Sequence, residues 1–239
     1  LKAGDRLTEA SFDLRKGEIL GIAGLQGMGQ LDLFHACFGM ADITQGGIAV
    51  DGRPVAITSP VDAMRPNIAI GFMPEDRKTE GLFLRLDGKS NISLPVIERF
   101  ARWGLIDGSA ETRAVAGVLD EVDVQERALY TRAGAFSGGN QQKIAIAKWL
   151  MAESRVLLMF DPTRGVDVGT KHEIYLIIRD YVEAGGAVLL YSTEIPELVN
   201  LCHRVLVMYG GRIVRELGQG AGGTSSGEIS ETAIMRAAL

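Results

Sequence analysis

The sequence predicts an α/β fold: a mostly parallel sheet core, a small antiparallel β subdomain and an inserted helical subdomain. Three observations lead there. Short apolar runs of strand length alternate with helical patterns towards both ends of the 239-residue chain, as expected of strands joined by crossover helices. Thirty glycines are nearly double the usual share of about 7%, and several sit where a strand gives way to a helix. Between about residues 85 and 132 the strand-like runs vanish and helical patterns take over.

The elements follow in order. Ser11–Leu14 and Glu18–Ile22 read as short strands around the turn Arg15-Lys16-Gly17. The second runs into Gly24, Gly27 and Gly29, after which Leu31–Phe38 has helical spacing with Leu31, Phe34 and Phe38 on one side. Gly47–Val55 reads as a hairpin around the favoured turn pair Asp51-Gly52, and Ile68–Met73 as a buried strand ending at Pro74. Ile92–Trp103 and Glu111–Val122 are predicted helices. Gly138-Gly139 opens a helix over Asn140–Ala152, followed by strand Val156–Phe160, helix Gly169–Glu183 and strand Ala187–Ser192. That last helix carries an apolar stripe of Ile174, Tyr175, Ile177, Ile178, Tyr181 and Val182. Arg204–Tyr209 and Arg212–Leu217 form a hairpin around Gly210-Gly211. Gly218–Gly227 reads as a flexible linker and Glu228–Ala238 as a short helix. The organisation is therefore a core over 1–84 and 133–217, a helical subdomain over 85–132, and a linker with a terminal helix over 218–239.

Composition narrows the function. With 46% hydrophobic and 23% charged residues the chain is ordinary globular material. Its 25 Lys and Arg against 30 Asp and Glu give −5, which argues against nucleic acid as the main partner. Cys37 and Cys202 are too few for a disulfide scaffold or a thiolate zinc site, so a reducing compartment is expected. No apolar stretch is long enough for a membrane span and no secretory signal opens the chain. It begins at Leu1, which suggests an excised domain.

Strand, glycine loop and helix form the setting of a phosphate cradle. In such a loop the glycines turn backbone N–H groups to the phosphates, a Lys reaches the β/γ oxygens, and the next Ser or Thr holds Mg²⁺. This loop reads Gly24-Leu25-Gln26-Gly27-Met28-Gly29-Gln30-Leu31-Asp32. Gln30 takes the Lys place, Leu31 takes the metal-ligand place, and Asp32 adds a charge that repels phosphate. The backbone over Gly27, Met28 and Gly29 still offers an anion cradle at a helix start. A plain tight turn is the competing reading of this loop alone.

A second run, Ala135-Phe136-Ser137-Gly138-Gly139-Asn140-Gln141-Gln142-Lys143, resembles the signature motif of ATP-binding-cassette transporters, in the form of their sugar-importer branch. Three further segments resemble the same family. Phe160-Asp161-Pro162-Thr163-Arg164-Gly165-Val166-Asp167 is similar to the end of a Walker B strand and the D-loop. Its spacing puts Phe160 where the Mg²⁺ carboxylate belongs and Asp161 where the catalytic Glu belongs; a slipped alignment would make Asp161 the metal acid instead. Met73–Leu82 looks like a Q-loop with Glu75 in place of Gln. Tyr191–Glu197 looks like the switch segment, with Thr193 in place of His. No aromatic precedes the first strands where the family stacks adenine; Leu1 is near that place.

The resemblance covers about Ser11 to Leu217 and implies a RecA-like cassette fold with ATP as cofactor. It implies the second, degenerate cassette of a tandem importer for a ribose-, galactose- or xylose-like solute. Cassettes of this family pair head to tail. Ser137, Gly138, Gly139 and Gln141 would then complete the ATP site on the first, upstream cassette, with Asp167 communicating across the interface and Mg²⁺ held mainly at the partner's site. Further implied partners are transmembrane permease subunits and, indirectly, a periplasmic or extracellular solute-binding protein. The implied place is the cytoplasmic face of the inner membrane. Two other readings compete: a competent ATPase with a substitute cation such as Lys16, Arg77 or Lys78, and a structural or nucleic-acid cassette.

Overall fold

The computed structural model describes residues 1–218 and 227–238. It opens with β1 (Lys2–Ala3), β2 (Ile19–Ala23) and α1 (Gln30–Phe38). Short strands β3 (Ile43–Gln45), β4 (Ile48–Val50) and β5 (Arg53–Val55) follow, then α2 (Pro60–Ala63) and β6 (Ile70–Met73). A π-helical turn spans Arg77–Gly81. After it come α3 (Gly88–Ser93), a 3₁₀ stretch over Leu94–Phe100, strands β7 (Ala101–Arg102) and β8 (Leu105–Ile106), and α4 (Gly108–Glu121). The remainder is α5 (Gly138–Met151), β9 (Val156–Phe160), α6 (Val168–Glu183), β10 (Ala187–Tyr191), α7 (Ile195–Leu201), β11 (Arg204–Tyr209), β12 (Arg212–Gly218) and α8 (Glu231–Ala238).

The described residues fall into two compact units. The first gathers Leu1–Phe72, Arg155–Asp161 and Tyr181–Leu239; the second gathers Met73–Ser154 and Pro162–Asp180.

The first unit is built on a sheet of strand order β12-β11-β2-β10-β9-β6. β11, β2, β10 and β9 run parallel, and β12 returns antiparallel to β11. Ile19–Ala23 and Ala187–Tyr191 are buried throughout, as continuous apolar runs require when both faces of a parallel sheet are covered. Register places Ile22, Tyr191 and Phe160 at one level across β2, β10 and β9. Arg204, 1% exposed, closes one end of the core. Its guanidinium meets the Glu18 carboxylate at 2.5 and 3.1 Å, Glu216 at 2.9 Å and the Asp13 carbonyl at 2.6 Å. β4 and β5 form the hairpin expected from Asp51-Gly52, whose φ values of 50° and 73° are the left-handed pair of a type I′ turn.

In the second unit α3 and α4 pack on α5 around Ile92, Val115, Leu119 and Ile144, all at most 1% exposed. Two of its buried polar groups are paired with opposite chemistry. Ser93 donates to Glu111 at 2.6 Å, and Lys143, 3% exposed, meets Glu173 at 2.8 Å.

Two sequence expectations are corrected. Ser11–Leu14 is not a strand. The Asp13 carbonyl is taken by Arg204, and the nearest ladder contact is a single bridge between Glu9 and Arg212. Nor is Ile92–Trp103 one helix. Pro95 lacks the N–H to continue α3 and its ring crowds the preceding turn, so the chain tightens into a 3₁₀ stretch broken at Val96. It then reverses at Trp103-Gly104, both at positive φ, into the β7–β8 hairpin. The glycine- and serine-rich segment expected to be a linker lies, over 219–226, outside the described residues.

Candidate functional site

The glycine loop leaves β2 and enters α1 as the sequence indicates. Gly24, at φ 149°, is confined: a Cβ there would strike the Met208 carbonyl and lie 2.9 Å from the Gln30 amide nitrogen. Gly29 at φ 93° is the N-cap of α1, which has no side-chain cap. The Gln30 side chain does not project outwards. It is 2% exposed; its Oε1 accepts from the Met28 N–H at 2.9 Å and its Nε2 donates to the Leu25 carbonyl at 2.8 Å. The carboxamide thus spans the loop from within and uses one of the N–H groups that a phosphate would need.

The Asp32 carboxylate, which the sequence offers as a charge repelling phosphate, is committed to the backbone. It accepts from the N–H of Arg6 at 2.7 Å and of Leu7 at 3.3 Å. With its backbone tied down in this way, Arg6 donates from its guanidinium to the Gly27 carbonyl at 3.3 Å. The sequence does not point to Arg6, because no spacing rule links a residue ahead of the first long strand to this loop. Lys16, a candidate substitute cation in the same unit, lies against Gly185.

Where β9 and β10 end, Phe160 stacks on Tyr191 with centroids 4.4 Å apart and meets Phe34 of α1 edge-on at 5.2 Å. The following residue, Asp161, is 3% exposed and left-handed at φ 52°. Its carboxylate accepts from the Thr193 hydroxyl at 2.9 Å and the Thr193 N–H at 3.3 Å. Burial raises the Asp161 pKa; the two Thr193 bonds oppose that rise, and the carboxylates of Glu197 and Glu194 add to it. The residues expected at the catalytic-acid and switch positions are therefore bonded to each other.

The second unit holds the other candidates. Ser137 caps α5, its hydroxyl accepting from the Asn140 N–H at 3.4 Å and side-chain amide at 3.1 Å. Gln141 turns inward and donates to the Phe136 carbonyl at 2.9 Å. Gly139 faces Thr170 so closely that any Cβ would overlap that side chain. Asp167 precedes α6 and accepts from the Thr170 N–H at 3.0 Å and hydroxyl at 2.8 Å, bonds that hold its carboxyl below the usual range. Glu75 is ion-paired with Arg164. Within this unit the structure gathers Glu75, Ser137, Gly138, Gly139 and Asp167 with Arg77 and Arg164. In the first unit it gathers the glycine loop with Arg6, and Asp161 with Thr193.

A parallel sheet feeding a glycine loop into α1, with a Ser-Gly-Gly cap on α5, defines an ATP-binding cassette. Residues 7–164 match the ABC transporter family, and the chain belongs to it. It is related to ribose importer ATPases: it is 46% identical over 239 residues to Ribose import ATP-binding protein RbsA 1 of Rhizobium johnstonii, covering 100% of this chain and 45% of that protein. It is 42% identical over 217 residues to Ribose import ATP-binding protein RbsA of Yersinia pestis, covering 91% and 42%. The chain thus spans less than half the length of these curated relatives. Among solved structures, the post-hydrolysis dimer of the cassette MJ0796 bound to ADP and Pi superposes with TM-score 0.77 at 21% identity, covering 91% of this chain and 95% of that one. The ADP conformation of the cassette MJ1267 gives 0.74 at 19%, covering 89% and 85%.

ABC cassettes use ATP with Mg²⁺, but the residues around this loop do not fit the ion. Leu31 and Phe160 are hydrocarbon, the Gln30 amide is committed to the loop backbone, and the Asp161 carboxylate is held by Thr193. Among the described residues no group of three His, Cys, Asp or Glu could hold a metal.

Proposed function

We propose that the chain is the second, C-terminal cassette of a tandem ATPase that drives import of ribose or a related monosaccharide. In this reading its own phosphate loop is degenerate and its signature motif serves the ATP site of the first cassette. The observation that carries the reading is the Gln30 carboxamide closed onto Met28 and Leu25 inside the loop, while Ser137, Gly138 and Gly139 keep an intact helix start. Phosphoryl transfer depends on cations that stabilise developing charge. Gln30, Leu31 and Phe160 provide none. Likeness to the ribose importers supports the solute class, the upstream cassette, the permease partners and a peripheral place at the cytoplasmic membrane face. No described helix is long and apolar enough to cross a membrane.

The purified chain is expected to release negligible phosphate from excess Mg-ATP. Turnover on the order of 1 s⁻¹, within the ordinary enzyme range, that disappears in Gly29→Val would overturn the reading. In the full tandem protein, Gly138→Asp is expected to abolish hydrolysis and Gln30→Ala to leave most of it. The reverse pattern would make this half the working phosphate site.

One observation favours a second reading, a loop that still binds nucleotide with a substitute cation: the Arg6 guanidinium beside Gly27. Calorimetric titration with ATP separates the two. Weak binding unaffected by EDTA is expected. Tight binding lost on adding EDTA or in Arg6→Ala would favour the second.

A further inference from the structure

The signature run ends in Lys143, a residue that neither the helix start nor the phosphate chemistry accounts for. Its side chain is 3% exposed, yet each of the three ammonium donors has an oxygen to face. The Glu173 carboxylate of α6 lies at 2.8 Å, the Asp123 carbonyl at 3.1 Å and the Asp123 carboxylate at 3.5 Å. Asp123 follows the end of α4 and is left-handed at φ 49°. One ammonium on α5 thus ties down both the exit from α4 and the second turn of α6.

Taking a lysine charge out of water is costly, and an apolar side chain would fill the same space. What the charge adds is register. Gly139 meets Thr170 so closely that no side chain fits on the glycine. Lys143 meets Glu173 one turn further along both helices. The first contact is van der Waals and has no direction along the helices, so it leaves α6 free to slide on α5. The second fixes the slide. Thr170 also holds the Asp167 carboxylate, through its N–H at 3.0 Å and its hydroxyl at 2.8 Å. The place of Asp167 relative to Ser137, Gly138 and Gly139 therefore follows from the register of the two helices.

We infer that Lys143 is a positioning residue that sets the start of α6, and Asp167 with it, in register with the Ser137-Gly138-Gly139 start of α5. It acts only through these two helix starts. This deepens the proposed function and rests on it for the reaction affected, hydrolysis at the first cassette's site.

Lys143→Met keeps an unbranched side chain without the charge. Glu173 is half-exposed and stays hydrated when the ammonium is gone, so the variant is expected to fold. In the purified chain, hydrogen exchange at the Thr170 amide is expected to quicken at least tenfold. The Asn140 amide, bonded to Ser137, is expected to stay within about twofold. In the full tandem protein, kcat for hydrolysis is expected to fall at least fivefold with KM for ATP within about twofold, because Ser137 still caps α5. Glu173→Ala should give the same pattern, and the double variant no more than either single. A brace that only stabilises the fold would quicken both amides together and lower kcat in proportion to the folded fraction. Unchanged exchange at Thr170, an equal rise at Asn140, unchanged kcat, or losses that multiply in the double variant each overturn the inference. Should Lys143→Met fail to fold, Glu173→Ala decides alone on the same readings. Gly138→Asp in the tandem protein judges the functional reading separately. Intact turnover there sinks that reading and leaves hydrogen exchange as the judge of Lys143.

Discussion

Asp161 is a buried carboxylate in a left-handed backbone conformation, and the Thr193 bonds do not cancel the cost of its charge. Because its folded pKa is raised, the folded state keeps a proton that the unfolded state releases near pH 3.8. Stability therefore falls as pH rises from the unfolded value through the folded one, and the penalty is fully present above that window. Below it both states are protonated and the penalty is absent. Asp161→Asn, which cannot ionise, is expected to gain on the unaltered chain as pH rises through this window; urea midpoints at a series of pH values would show it. A constant difference across the series would mean that Asp161 is not a buried charge. Gln30 is the other informative side chain in this unit. Gln30→Lys would place a lysine at the start of α1, but it removes two hydrogen bonds at a site 2% exposed. A loss of about 1–3 kcal/mol is expected from the unmet loop groups, read by urea denaturation. No phosphate release from Mg-ATP is expected of this variant, since Phe160 and Leu31 offer no metal ligand.

Helix α5 meets the first turn of α6 at close quarters. Gly139→Ala would drive a methyl into Thr170, so the starts of α5 and α6 would have to separate. Overpacking of this kind costs about 1–3 kcal/mol, and the midpoint of thermal unfolding is the measure. A neutral result would mean that the first turn of α6 yields without cost. This contact is not legible in the sequence, where the Ser-Gly-Gly run indicates only a helix start. The long strands and helices are legible, because apolar runs and 3.6-residue stripes report burial directly. The β4–β5 hairpin is legible too, because Asp51-Gly52 suits one turn type. Ser11–Leu14 fails as a strand because Arg204 and Glu18 claim its neighbourhood through contacts about 190 residues distant in sequence, beyond the reach of local pattern. α7 shows in the sequence only as a switch segment, since seven residues beginning Ile195-Pro196 display little periodicity. At the site, the residue types at positions 30, 31, 160 and 193 are legible one by one. Their surroundings are not: the inward turn of Gln30, the aromatic stack of Phe160 and the approach of Arg77 to Gly138 all depend on tertiary packing.

Across the molecule, the first unit depends on joining residues far apart in the chain. Arg204 is the charged centre of that joining. Replacing it with Met leaves Glu18, 5% exposed, as a buried carboxylate without its guanidinium, the Arg15 N–H bond remaining, and a loss of about 3–5 kcal/mol is expected. Adding Glu18→Met should recover part of it, and equilibrium unfolding of the single and double variants would measure the coupling. If the double variant is no more stable than the single, the network is not a coupled pair. The position of β2 has a further consequence, for the birth of the protein on the ribosome. Ile19–Ala23 leaves the exit tunnel long before its two sheet neighbours, Val188–Tyr191 and Arg204–Val207. At about 5–20 residues per second, on the order of ten seconds or more pass before either neighbour emerges. Throughout that interval an apolar strand has both edges unpaired, a condition that invites association with other nascent chains. The nascent first half is therefore expected to bind holding chaperones until β10 and β11 arrive, and release should coincide with their emergence.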